Sequence, residues 1–382
     1  MQRYLYLFYS DYSGNAHHKI PIILKYFFIT GEASGDLHAS SVVHSLRALD
    51  ASARFFGTGG KHMEKAGVKL ALNIRDMSFM GFVEVIKNIF RIRKNFKIVK
   101  KAIQDVHPDV VVLVDYPGFN LRMAEWAKSQ GYKVVYYIAP QVWAWKESRV
   151  KKIKAYVDLL LVILPFEKEF FKKHQIPAVY VGHPLLERVP EPTEKEKNQI
   201  AILPGSRRQE IERMLPVMLE AMYIHGAPNN LVVAGLSEYG EDYYKSMIKG
   251  RAGLVMDKVY EVLDNSKLAI VTSGTASLET ALMRVPQVVC YAVNPVTYWI
   301  ARFLVKVNYI SLVNLIMSRP VVPEMIQKDF YPVSVKNASM QVMLDTISIQ
   351  DAYLQLRKTL GTGDTSQRVA LVLYDFLQQK GN

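Results

Sequence analysis

The chain has 382 residues, enough for two domains of roughly 150–200 residues each. Half of it is apolar and 22% charged, which excludes a disordered or collagen-like chain. The 48 Lys and Arg against 35 Asp and Glu leave a net charge of +13, which favours an anionic partner: nucleic acid, a phosphorylated metabolite or an acidic membrane face.

No apolar run reaches the roughly 18–20 uncharged residues of a spanning helix, so an integral membrane protein is not expected. The single cysteine, Cys290, excludes an internal disulfide framework and a thiolate zinc cluster, and fits a reducing cytosolic location. The histidines are scattered, with no H-E-x-x-H and no C-x-x-C, so no metal centre is expected.

Residues 1–24 read as an extension: the apolar stretch Tyr4–Tyr9 is shorter than a signal-peptide core, and His17–His18 is incidental. From residue 25 short β-branched or aromatic runs recur, at Tyr26–Thr30, Arg54–Phe56, Val110–Asp115, Lys133–Ile138, Leu159–Leu164 and Val179–Val181. Stretches of helical period lie between several of them, such as Ala39–Leu49 and Leu121–Gln130. Runs without polar alternation predict strands buried on both faces, hence a parallel sheet wrapped by helices.

The charged, proline-containing segment Glu187–Asn198 breaks the pattern, and residues 190–198 are its linker. Strand-like runs then resume at Ile200–Leu203, Leu231–Val233, Leu268–Thr272 and Val288–Ala292. The expectation is two consecutive α/β domains of Rossmann-like, doubly wound type, 25–189 and 199–364. A last helix in 365–382 packs back on the first domain or on a partner chain. Ligands of such sheets bind beyond the carboxyl ends of strands, so the cleft between the domains is the expected site.

Several segments fall at such strand ends. In Thr30-Gly-Glu-Ala-Ser-Gly-Asp36, Glu32 and Asp36 would repel a pyrophosphate; carboxylates with the Ser34 hydroxyl and the turn at Gly35 suit a polyol such as a sugar. The alternative is that Ser34 or Asp36 caps the following helix. Gly57-Thr-Gly-Gly-Lys61 lacks Walker spacing and reads as a turn.

Asp115 ends the strongest strand and would project into the cleft, where a carboxylate can act as a general base; a helix cap is the alternative. Pro204-Gly205-Ser206-Arg207 offers a glycine turn, free backbone N–H groups and a guanidinium, an anion site at a helix start. Ser273-Gly274-Thr275 opens a second such start, with Glu279 one turn on to accept ribose hydroxyls. Two such loops in one domain imply a nucleotide diphosphate. The apolar stretch Met77–Ile86, with Phe79, Met80, Phe82 and Val83, runs into a cationic segment that includes Arg91, Arg93 and Lys94, a pattern that suits an anionic monolayer surface; a core helix for the first and a solvated helix face for the second are the alternatives.

Taken together and in order, GEASGD, MGFVEVI, VDYPGFN, APQVWAW, LPFE, VGHP, LPGSR, SGTASLE and SLVNL resemble the lipid-A-disaccharide synthase family over residues 25–330. The resemblance implies a GT-B glycosyltransferase on the cytoplasmic face of a Gram-negative inner membrane. It implies transfer of 2,3-diacylglucosamine from its UDP derivative to 2,3-diacylglucosamine 1-phosphate, giving a β-1,6-linked disaccharide phosphate and UDP without metal or other cofactor. By the same resemblance Asp115 is the base. Gly205, Ser206, Arg207, Ser273, Gly274, Thr275 and Glu279 hold UDP, and Glu32, Ser34, Gly35, Asp36 and Gln141 line the acceptor side. Asn314 of SLVNL reaches the nucleotide site of the partner in a swapped homodimer. Gly118 stands where many members carry a second aspartate, which leaves Asp115 as the base.

Two rivals are a UDP-N-acetylglucosamine 2-epimerase and a lipid-linked peptidoglycan glycosyltransferase. The first leaves the segment Met77–Lys101 without a use, and the second requires a G-G-x-G-H loop that Gly31–Asp36 does not match. A non-enzymatic membrane- or nucleic-acid-binding protein driven by charge alone is disfavoured, since no recognised nucleic-acid module is present.

Overall fold

The computed structural model describes residues 23–77, 89–143, 148–224, 230–294 and 308–378. The first half builds a seven-stranded sheet from β1 (Lys25–Ile29), β2 (Arg54–Gly59), β3 (Lys69–Asn73), β4 (Val110–Val114), β5 (Lys133–Tyr137), β6 (Leu159–Val162) and β7 (Ala178–Tyr180), in the order β3-β2-β1-β4-β5-β6-β7. The second half builds a six-stranded sheet from β8 (Gln199–Leu203), β9 (Leu231–Gly235), β10 (Gly253–Met256), β11 (Ser266–Thr272), β12 (Gln287–Tyr291) and β13 (Glu324–Ile326), in the order β10-β9-β8-β11-β12-β13. Every strand pair is parallel. Both sheets reverse winding direction once, between β1 and β4 in the first and between β8 and β11 in the second. Such reversal points are where doubly wound sheets open a crevice for ligands.

Composition explains the layers. β4 is Val-Val-Val-Leu-Val with every residue fully buried, as a central strand covered by helices on both faces must be. The helix Ala33–Leu49 turns Ala39, Val42, Val43 and Leu46 inward, an i, i+3, i+4, i+7 stripe. The last helix, Thr365–Gln378, adds Val369, Ala370 and Leu373 to that same core, so the chain crosses back to the first half after completing the second. Its start is tied down by Ser366, whose backbone N–H and hydroxyl donate to the Glu187 carboxylate at 2.5 and 2.6 Å. The linker is pinned as well: Thr193 donates from its N–H and hydroxyl to Asp264 at 2.8 and 2.6 Å, and Glu191 pairs with Arg284 and Arg357.

The strand expected at Arg54–Phe56 continues to Gly59, so Gly57 lies inside β2 rather than in a turn. A side chain there would meet the Phe28 carbonyl at 2.0 Å, which is why the position is glycine. Strands β3, β10 and β13 were not anticipated; all three sit at sheet edges.

Candidate active site between the two sheets

At the first reversal point β4 ends in two consecutive non-glycine residues in the left-handed region, Asp115 at φ 47° and Tyr116 at φ 48°. Each costs about 1–2 kcal/mol, so the surroundings must hold the turn. The Asp115 N–H donates to the Tyr137 carbonyl at 3.1 Å, and its own carbonyl accepts from the Tyr136 hydroxyl and the Asn120 amide, both at 2.7 Å. The Tyr116 hydroxyl donates to the Met77 carbonyl at 2.7 Å, and its ring lies over Gly31, where a Cβ would come within 2.2 Å of it. Pro117 then opens the helix Pro117–Ser129. The bend directs the Asp115 carboxylate into the space between the sheets.

That space is a cavity of ≈ 370 Å³, within the range of small-molecule sites. Ser34, His38, Asp115, Gln141, Arg149, Glu167, His183 and Arg188 line it from the first half, and Thr275, Glu279 and Leu312 from the second. Burial, then the nearby Glu32 carboxylate, push Asp115 up to about 6. Burial also raises Glu32, while the Arg207 guanidinium of the other half acts to lower it. His38 is held down to about 4 by burial and then by Arg188, and His183 to about 3 by burial and then by His38. Both imidazoles are therefore neutral, and His183 Nδ1 accepts the Leu185 N–H at 3.3 Å.

At the second reversal point the loop after β8 carries Gly205 at φ 115°, and the helix Arg208–Ile224 follows. The expectation of free N–H groups needs correction. The Glu210 carboxylate accepts the backbone N–H groups of Ser206 and Arg207 at 3.2 and 3.3 Å, and Arg207 Nη1 at 3.0 Å. This happens because an acid three residues past Arg207 folds back over its own helix start. Opposite, Gly274 at φ 152° precedes the helix Thr275–Leu282, and the Ser273 hydroxyl donates to the Ile310 carbonyl at 3.0 Å. Glu279 accepts from the Tyr260 hydroxyl at 2.7 Å. A second cavity, ≈ 350 Å³, runs along these strand ends past Gly205, Ser206, Asp257 and Ser273–Ala276. It shares Thr275 and Glu279 with the first, so the two are adjoining chambers.

Three of the expected site residues are engaged elsewhere in the fold. Asp36 is 2% exposed and its carboxylate accepts the N–H groups of Gly60, His62 and Met63 at 2.5, 3.1 and 3.1 Å; it joins two segments of the fold and is not presented to a ligand. Gly35 is buried, with a Cβ position 3.5 Å from Thr30, and does not line the cavity. Asn314 is 1% exposed, donates to Val322 O and Glu324 and accepts from the N–H groups of Val321 and Val322, so its amide is fully used within its own chain. Phe79, Met80, Phe82 and Val83 lie outside the described residues. Arg93 and Lys94 are exposed on the helix Ile89–Val106, beside Phe90 at 78% exposure, while Arg91 is paired with Asp76 at 2.9 Å.

Sequence reasoning missed His38, Arg149, Glu167, His183 and Arg188 as cavity residues. For Glu167 a signal existed: Leu-Pro-Phe-Glu is a helix start with Pro first and Glu third, which predicts a capping acid. The others carry no local signal.

Two Rossmann-like doubly wound sheets facing one cleft, each with its reversal point at the cavity, define the GT-B architecture. Solved structures agree on the fold. The UDP-GlcNAc 2-epimerase from Neisseria meningitidis, bound to UDP-GlcNAc, matches with TM-score 0.64 at 12% identity over 92% of this chain and 100% of that one. The calicheamicin glycosyltransferase CalG4 matches with TM-score 0.60 at 14% identity over 94% and 100%. Sequence similarity is more specific. The family model described as lipid-A-disaccharide synthetase matches residues 26–371. The lipid-A-disaccharide synthase of Geobacter metallireducens is 37% identical over 92% of this chain and 97% of its own length, and that of Myxococcus xanthus 38% over 91% and 96%. The chain belongs to the lipid-A-disaccharide synthase family and is a glycosyltransferase.

Proposed function

We propose that the chain transfers 2,3-diacylglucosamine from its UDP derivative to the 6-hydroxyl of 2,3-diacylglucosamine 1-phosphate. The observation that carries the reading is the placement of Asp115 and of the Gly205–Ser206 and Ser273–Thr275 loops around two chambers that meet at Thr275 and Glu279, with Arg207 next to Ser206 and outside both linings. UDP occupies the chamber along β8–β11 and the reacting sugars the one at Asp115. The Asp115 carboxylate accepts the proton of the acceptor hydroxyl as that oxygen bonds the anomeric carbon, and the anomeric C–O bond breaks with its electron pair leaving on UDP. A single in-line displacement inverts the anomeric centre.

Charge on the leaving diphosphate is met by Arg207 and the adjoining N–H groups once Glu210 withdraws from them. Arg207 is 61% exposed, so exchanging this ion pair for a phosphate costs little. Glu279 takes the ribose hydroxyls alongside Tyr260. Ser34 and Gln141 face the acceptor sugar, while Glu32 stands outside that lining and acts through the Asp115 carboxylate. The exposed cations and Phe90 of the helix Ile89–Val106, with residues 78–86 that follow the buried Met77, hold the protein on the acidic inner-leaflet surface where its acylated substrates reside. Among the described residues no helix is long and apolar enough to cross a membrane.

The test is UDP release from UDP-2,3-diacylglucosamine in mixed micelles with EDTA, with and without the acceptor phosphate. Release only with acceptor, together with a disaccharide phosphate, is expected. Acceptor-independent release, or none from folded protein, would contradict the proposal.

A further inference from the structure

We propose that Glu167 is a positioning residue that, by gripping the Trp143 indole, holds the loop Ala139–Trp143, and Gln141 with it, against the sugar chamber; this rests on the transfer reading above. Glu167 is 1% exposed and both of its oxygens are engaged. One accepts the N–H groups of Ile163 and Leu164 at 3.3 and 3.0 Å, closing the start of the helix Pro165–Lys173. The other accepts Trp143 Nε1–H at 3.0 Å across 24 residues of sequence. Helix capping needs only the first set; the second has no part in it. The indole also meets the Phe166 ring edge-on at 4.9 Å and 86°, so the same turn grips it twice.

The loop needs holding. It starts at Ile138, a β-branched residue at φ 60°, a conformation such residues rarely adopt and one that costs about 1–3 kcal/mol. Ala139 and Val142 are buried, and Ile138 through Val142 all line the chamber that receives Asp115. A shift of this loop therefore moves the chamber wall that carries Gln141.

Stability alone does not account for the acid. Burial pushes Glu167 up to about 7, against its capping hydrogen bonds, and the Tyr180 phenol senses its charge. A carboxyl raised on folding stabilises most when protonated, and that contribution is lost as pH rises through about 7. A glutamine would avoid the cost of burying a charge, but it cannot replace the geometry, because its amide has one accepting end and three N–H donors converge on the site.

The experiment compares wild type, Glu167→Gln, Trp143→Phe and the double variant in alkaline buffer. Indole and backbone amide NMR resonances are recorded without substrate, and kcat and KM in the micelle assay. In Glu167→Gln the Trp143 indole N–H resonance, assigned by its loss in Trp143→Phe, moves, as do the amides of Ala139–Trp143. KM for the acceptor rises about 10-fold with kcat within about 3-fold, the signature of lost binding geometry. The double variant is no worse than Glu167→Gln, since both break one contact. Unmoved resonances, an unchanged KM, or a double variant equal to the product of the singles would overturn the proposal. If Glu167→Gln does not fold, Trp143→Phe alone decides: a raised KM supports the clamp and an unchanged one refutes it. The substrate-free resonances judge the clamp even if wild type transfers no sugar, a result that would remove the transfer reading instead.

Discussion

Asp115 and Asp36 show how far one residue can be read from its neighbours. Both are acids near the end of a strand, and both were assigned to the site. One is thrown outward by a left-handed turn; the other is consumed by three backbone N–H groups from a segment more than twenty residues away. Spacing reveals the strand end but not which donors return to meet the acid, so Asp115 was legible and the fate of Asp36 was not. The raised Asp115 predicts a pH dependence. The base works as carboxylate, so kcat/KM should be level above about 6 and fall roughly tenfold per unit below it, an acid limb that a pH–rate profile measures. The Glu32 carboxylate acts on Asp115, so the limb belongs to the coupled pair and not to Asp115 alone. Arg207→Ala should weaken UDP binding about 10-fold or more by calorimetry, with Arg207→Lys recovering only part, because a bidentate fork is lost.

Among the elements, the interior strands were visible and the edges were not. Val110–Val114 and Leu268–Thr272 are buried on both faces and read as unbroken apolar runs. Lys69–Asn73, Gly253–Met256 and Glu324–Ile326 lie at sheet edges, half-exposed and of mixed composition, so no run marks them. The glycine and acid loops were legible because reversal-point chemistry sits directly after central strands. His183 and Arg188 were not, because only the packing of the two halves makes them neighbours of the cavity. The closing helix Thr365–Gln378 is a test at this scale. Leu373 is fully buried against the helix Ala33–Leu49, and Leu373→Ala should cost about 2–4 kcal/mol in chemical denaturation. An unchanged midpoint would show that the return crossing adds nothing to the first half's stability.

For the whole molecule, two sheets of like winding present their reversal points to each other, and the proposed reading gives the net charge of +13 a use at one exposed helix face and one phosphate loop. On that account Arg93→Ala/Lys94→Ala and Phe79→Ser/Met80→Ser/Phe82→Ser should each reduce sedimentation with anionic vesicles. The residual binding of the first should depend less on salt, while transfer between short-chain micellar substrates changes little. Undiminished vesicle binding by both would take the membrane face elsewhere. On the proposed mechanism Asp115 removes the acceptor proton in a cleft that binds the donor by other groups. The most direct measurement is single-turnover transfer by Asp115→Asn alongside its affinity for UDP-2,3-diacylglucosamine. Donor affinity within about 3-fold of wild type is expected, with transfer reduced about 100-fold or more. Transfer at the wild-type rate would contradict that mechanism.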